Sequence, residues 1–178
     1  MKKETWLGVT RFDTRQVIVI GLMIATEIIL TRFLSITTPV LRIGLGFMAI
    51  AVVGMLYGPL SAALTGALAD ILGVSLFSPF APFPGFTLTA FLTGAVYGIF
   101  LHNRKGHIIP IVAAVLIVTV VLQLGLDTLW VQIITGTNYF ALLPPRVIRT
   151  AIMIPVQIFL IKTMAQLLLT LQRRGFFQ

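Results

Sequence analysis

Cysteine is absent from the 178 residues. The chain therefore carries no disulfide, no thiolate metal site and no cysteine nucleophile, and its redox compartment is left open. Charge is scarce as well. Only 10% of residues are charged, five of them acidic, where a soluble domain carries about 25%. No G-x-x-x-x-G-K-[ST] run occurs, so the chain does not hydrolyse ATP by that route. The two histidines, His102 and His107, flank one short polar run beside Arg104 and Lys105, a setting for solvated loop residues rather than a metal site. With no histidine inside an apolar stretch, a Ser-His intramembrane protease is disfavoured, and Gly73-Val74-Ser75 is too weak a signal to restore it. A clustered Asp motif for metal-dependent phosphotransfer is missing too. Neither a cofactor nor a metal is expected.

What fills the chain instead is hydrocarbon: 58% of residues are hydrophobic and the mean hydropathy is +1.04. The composition predicts an all-α integral membrane protein, and the apolar runs predict six transmembrane helices in a compact bundle. Their expected bounds are Arg15–Ser35, Ile43–Tyr57, Leu60–Leu76, Phe86–Leu101, Ile108–Ile134 and Arg146–Leu171. Gly58-Pro59 is a tight break between the second and third. The second is the shortest, below the ~20 residues of a full span, and a short helix survives inside a bundle when flanking residues snorkel. Residues 1–178 read as a single membrane domain: 1–14 as a cytoplasmic or interfacial segment, 15–171 as the bundle, 172–178 as a cytoplasmic tail. No apolar core with a small-residue cleavage site follows the basic Met1–Lys3, so no cleavable signal peptide is expected.

The formal charge of +8 does not call for nucleic acid. Lys2, Lys3, Arg11 and Arg15 precede helix one, Arg104 and Lys105 lie between helices four and five, and Arg173 and Arg174 follow helix six. All fall on one side of a six-span chain. Excess Lys and Arg marks the cytoplasmic side, so both termini are expected in the cytoplasm.

Against that apolar background three acids stand out. Glu27, Asp70 and Asp127 lie inside membrane-like stretches, where each costs about 2.5–3.5 kcal/mol at mid-bilayer on insertion scales. Such residues mark substrate or ion paths. The predicted threading places all three toward the outer side, with Arg32, Arg42, Arg146 and Arg149. Arg146 and Arg149 are one turn apart and share a face, as do Gln123, Asp127 and Trp130. A carboxylate beside an aromatic plate suits a flat, hydrogen-bonding heterocycle, and arginine pairs bidentately with ligand carboxylates. The opposing view is that acids and arginines pair only to lock helices. Glu27, facing Arg149 or Arg32, is the member read that way, and Arg146 at a helix start has the alternative of an interfacial anchor.

The run Phe77-Ser78-Pro79-Phe80-Ala81-Pro82-Phe83-Pro84-Gly85-Phe86 combines three backbone-restricting prolines with four phenylalanines. It predicts a semi-rigid aromatic wall over an outer pocket, with Phe83 and Phe86 facing it. Phe77 and Phe80 serve equally well as an interfacial aromatic belt. Small residues four apart, Gly21/Ala25, Ala62/Gly66 and Gly94/Gly98, permit close helix approach in lipid. Most such pairs serve packing within a chain. Gly21 and Ala25, in the cytoplasmic half of helix one, are the exception, a surface for docking another membrane subunit.

A six-helix chain of this size without an ATP site resembles the substrate-binding S components of energy-coupling factor (ECF) vitamin transporters, most closely the folate-specific, FolT-like members. The resemblance is carried by Arg32-Phe33-Leu34-Ser35, Leu41-Arg42-Ile43-Gly44-Leu45-Gly46-Phe47, Leu56-Tyr57-Gly58-Pro59, Phe83-Pro84-Gly85-Phe86-Thr87-Leu88, Tyr97-Gly98, Asp127-Thr128-Leu129-Trp130 and Leu143-Pro144-Pro145-Arg146. These segments span nearly the whole chain. Helix one departs from the family's Ala-xxx-Ala, keeping small residues as Gly21-xxx-Ala25. The resemblance implies a prokaryotic cell-membrane protein, not an enzyme. It would capture folate from outside and associate with a shared transmembrane coupling subunit and two cytoplasmic ATPases, toppling in the lipid to deliver the vitamin. With folate as the ligand, placement and charge assign Asp70 or Asp127 to the pteridine ring, with Trp130, Phe83 and Phe86 stacking. Arg42, Arg146 and Arg149 are then candidates for the ligand's carbonyl and carboxylates.

Three other readings compete. The first is the same fold with another vitamin, pantothenate or a thiamine precursor. The second is a membrane enzyme with Asp70 or Asp127 as general base. The third is a structural subunit whose charges only lock helices. Ligand selectivity, turnover by the purified chain and the absence of saturable binding respectively distinguish them.

Overall fold

Helices follow the apolar runs. The computed structural model describes residues 13–37, 42–77, 83–102, 104 and 107–173, with the backbone alone at 36, 37, 42, 43, 172 and 173. Within these, α1 spans Thr14–Arg32, α2 Phe47–Tyr57, α3 Pro59–Phe77, α4 Pro84–Leu101, α5 Ile108–Thr135 and α6 Tyr139–Arg173. Between α1 and α2 lies a small antiparallel hairpin, β1 (Ile36–Thr37) and β2 (Arg42–Ile43), with Ile36 opposite Ile43 and Thr37 opposite Arg42. All of these helices except α2 are long and apolar enough to cross a membrane. The expected interfacial segment Met1–Asp13 lies, up to residue 12, outside the described residues, as do Ser78–Pro82 of the aromatic loop and the tail beyond Arg173.

The largest departures from the expected helices have local reasons. The second helix starts at Phe47 rather than Ile43: Ile43 is spent on the β2 pairing, and Gly44 and Gly46, poor helix formers, separate strand from helix. The last helix starts at Tyr139, not Arg146, and takes Pro144 and Pro145 into its early turns. Their missing N–H groups release the carbonyls of Phe140 and Ala141, two exposed residues in the first turn of the helix. The stretch expected as the loop Gly136–Pro145 therefore shrinks to 136–138, opened by Gly136 in the left-handed region at φ 68°. Finally, α5 widens over Ile117–Leu126 into i→i+5 bonding, a form frequent at functional sites and invisible to a 3.6-residue pattern.

The short α2 is the most enclosed element. Val53 and Met55 are buried against Tyr97 and Leu101 of α4, Ile111, Val115 and Val118 of α5, and Ile161 and Ala165 of α6. The outside is apolar as well: Val17, Ile18, Leu22, Ile109 and Phe159 are all exposed. A chain apolar both inside and out has hydrocarbon as its solvent. Closest packing joins α3 and α4, where a side chain on Gly94 would collide with the Ala62 carbonyl and one on Gly66 with that of Ala90. Those small-residue pairs serve packing within the chain. On α1, by contrast, Ile28 alone is buried, and a side chain built on Gly21 meets nothing within 4 Å.

Candidate functional site

The C-terminal halves of α1, α3 and α5 meet the N-terminal halves of α2, α4 and α6. A cavity of about 220 Å³ opens among them. Each helix lines it with residues three or four apart, hence on one face: Glu27 and Thr31 of α1, Phe47 and Ile50 of α2, Phe86, Thr89, Ala90 and Thr93 of α4, Gln123 and Asp127 of α5, and Arg149, Met153 and Gln157 of α6, with Asp70 from α3. Gly44 and Gly46, just before α2, complete the wall. A side chain on Gly46 would lie 2.8 Å from Glu27 Oε1, so glycine there lets the carboxylate reach the cavity edge.

All three intramembrane acids thus line one cavity, in different settings. Asp70 is tied across to α4, since Thr87 Oγ1 donates to its Oδ2 at 2.8 Å. Asp127 Oδ1 is buried and has no hydrogen-bond partner among the described residues. Arg146, Arg149 and Asp70 all stand close enough to act on its charge. A buried carboxylate oxygen without a donor costs free energy, and such a site has an appetite for N–H groups from a ligand.

Of the residues expected at a ligand site, Asp70, Phe86, Asp127 and Arg149 line the cavity. Phe83, Trp130 and Arg146 stand behind or beside that lining. Phe83 is at the start of α4 with its ring 5.9 Å from those of both Phe86 and Trp130. Trp130 Nε1 donates to Thr89 Oγ1 at 3.1 Å, and its ring closes on Gly85, where a side chain would clash with both Trp130 and Phe83. Arg146 Nη1 donates to Thr128 Oγ1 at 3.2 Å, next along α5 from Asp127. Arg42 is placed by its backbone alone, on β2. Arg32 lies elsewhere, its guanidinium against Gly73 of α3. Gly21 and Ala25 are exposed on α1, away from the cavity.

The chain matches the model of the ECF-type riboflavin transporter, S component, over residues 11–170. It belongs to the family of ECF-type transporter S components. Two relatives carry the name "Folate transporter FolT". One, from Clostridium novyi (strain NT), is 44% identical over 144 residues, covering 81% of this chain and 84% of the relative. The other, from Leuconostoc mesenteroides subsp. mesenteroides, is 30% identical over 162 residues, covering 87% and 86%. Among solved structures, the crystal structure of FolT bound with folic acid superposes with a TM-score of 0.82 at 35% identity, covering 86% of this chain and 94% of that one. This S component is therefore a membrane transport subunit and not an enzyme.

Thr89, Thr93, Met153 and Gln157 also line the cavity without standing out in the sequence. A signal for them was present. Thr93 is seven residues after Phe86, and Gln157 eight after Arg149, spacings that return to the same helix face.

Proposed function

We propose that this S component captures folate and delivers it across a prokaryotic cell membrane as the substrate-binding subunit of an ATP-driven ECF transporter. The observation that carries the reading is the 44% identity to a folate transporter across four-fifths of both chains. The name of the family model, riboflavin, favours a different vitamin. Sequence identity over full-length relatives is the better guide to ligand, because one family model spans members with different cargo. The cavity supports the choice: a buried acid short of donors suits a ring bearing adjacent N–H and amino groups. At about 220 Å³ the space is below the roughly 300–1,000 Å³ of a whole drug-sized site. It fits the ring end of an elongated ligand whose other end leaves through the mouth.

In this reading Asp127 and Asp70 hold the pteridine ring, and Trp130, Phe83 and Phe86 form its aromatic surround. Arg42, Arg146 and Arg149 meet the carbonyl and carboxylate groups. The chain is one membrane domain of six spans, α2 being a short one, with both termini cytoplasmic and the cavity opening outward. The transport machinery is completed by a transmembrane coupling subunit, docked at Gly21 and Ala25, and two cytoplasmic ATPases. The test is equilibrium binding of folic acid to the purified chain in detergent, followed by tryptophan fluorescence, with riboflavin, pantothenate and thiamine as controls. Saturable quenching by folic acid alone is expected. A response to riboflavin instead would keep the fold and replace the ligand.

A further inference from the structure

At the floor of the cavity Gln157 is 1% exposed and Tyr97 is fully buried. The Tyr97 hydroxyl donates to Gln157 Oε1 at 3.1 Å, joining α4 to α6. The direction of this bond follows from proton accounting. A side-chain amide presents one acceptor and two donors. Turned the other way, it would give an N–H to the tyrosine oxygen and leave the hydroxyl proton buried without an acceptor, an arrangement costing about 1–3 kcal/mol. Tyr97 therefore occupies the carbonyl of Gln157, and the amide NH2 is what that side chain offers the cavity it lines with Asp127.

From this we infer that Gln157, fixed in orientation by Tyr97, is a specificity-determining residue that donates a hydrogen bond to the ring carbonyl oxygen of the bound vitamin. The inference rests on the folate reading of the cavity. It complements Asp127, whose Oδ1 lacks a donor. Asp127 accepts from the ring N–H and amino group, and Gln157 donates to the carbonyl beside them. One wall of the site is acceptor and the other donor, an order that matches a 4-oxo ring and opposes its 4-amino counterpart, which would bring an N–H2 against the amide N–H2. Tyr97 does not touch the ligand and acts as a positioning residue.

The experiment compares binding of folic acid and of its 4-amino analogue to the full chain in detergent, for the wild type, Gln157→Met and Tyr97→Phe. Wild type should prefer folic acid by about tenfold or more, the weight of one buried donor set against another donor. In Gln157→Met that preference should shrink by about tenfold, chiefly through weaker folic acid binding. In Tyr97→Phe the amide is free to turn its carbonyl inward, so the preference should shrink through stronger binding of the analogue. A purely structural role would weaken both ligands alike and leave the ratio unmoved. An unchanged ratio in Gln157→Met, or in Tyr97→Phe should the former fail to fold, overturns the inference while leaving folate binding standing. Absence of folic acid binding by the wild type overturns the functional reading itself.

Discussion

Trp130 and Thr89 close one wall of the cavity through a single bond, the indole N–H donating to the threonine hydroxyl at 3.1 Å. The same hydroxyl passes its own proton to the Gly85 carbonyl, one turn back in α4, at 3.2 Å. Donor, relay and acceptor are all satisfied, so the indole is pinned across α4 and α5 in a place where Phe83 and Gly85 leave room only for its flat ring. Thr89→Val removes the relay while keeping the shape. Its loss should lower folic acid affinity by about fivefold, the weight of one net hydrogen bond, with the fluorescence response retained. Trp130→Phe should abolish most of that response, since Trp6 is the only other tryptophan. Titrations of the two variants side by side check both halves.

Asp127 predicts opposite movements of stability and function. Its buried Oδ1 lacks a hydrogen-bond partner among the described residues, and a buried carboxylate oxygen without a donor is destabilising even with Arg146 and Arg149 nearby. Asp127→Asn neutralises it in the same volume. The ligand-free protein should then melt no lower than wild type, and folic acid should bind at least about tenfold more weakly, because hydrogen bonds to a charged group contribute about 1.5–3 kcal/mol. Thermal shift with and without ligand measures both. A variant that melts normally and binds normally would remove Asp127 from the ligand.

Asp70 should behave differently, because its Oδ2 already serves Thr87 and so ties α3 to α4. Asp70→Ala breaks that tie and should cost about 1–2 kcal/mol of stability, seen as a lower midpoint without ligand. Asp70→Asn keeps an acceptor for the hydroxyl and should melt close to wild type. Its folic acid affinity should fall less than that of Asp127→Asn. Equal losses in the two asparagine variants would give the two acids equal weight at the ring.

How far these features were legible in the sequence follows from which forces write themselves into it. Hydrocarbon burial does, so the long spans and the convergence of Glu27, Asp70 and Asp127 could be read from apolar runs interrupted by acids. Backbone adjustments do not. The i→i+5 stretch of α5 leaves the pattern of apolar residues intact, and Pro144 and Pro145 look like a loop although both sit in the early turns of α6. Gln157 was hidden for another reason. A lone amide in an apolar helix has no meaning until its partner is known, and Tyr97 lies 60 positions away in sequence. Trp130 shows the reverse case. Its spacing from Asp127 suggested a shared face, yet Thr89 and Gly85 hold the ring beside the cavity lining.

The small residues give the sharpest contrast between two uses of one motif. A side chain on Gly94 has nowhere to go, because the backbone of Ala62 and Ala63 occupies its place, and helix backbones move apart only by losing packing along their whole contact. Gly94→Leu should therefore fail to yield folded, folic acid-binding protein. Gly21 has the same chemistry and open space around it. Gly21→Leu should leave melting temperature and folic acid affinity within error of wild type, and still lower folate uptake by cells carrying the complete transporter by about tenfold or more, since a bulky residue at a small-xxx-small face blocks close helix approach. Co-purification of the coupling subunit with the variant reads the same property directly. Full uptake by Gly21→Leu would free this face of α1 from any docking role and move the partner surface elsewhere on the bundle.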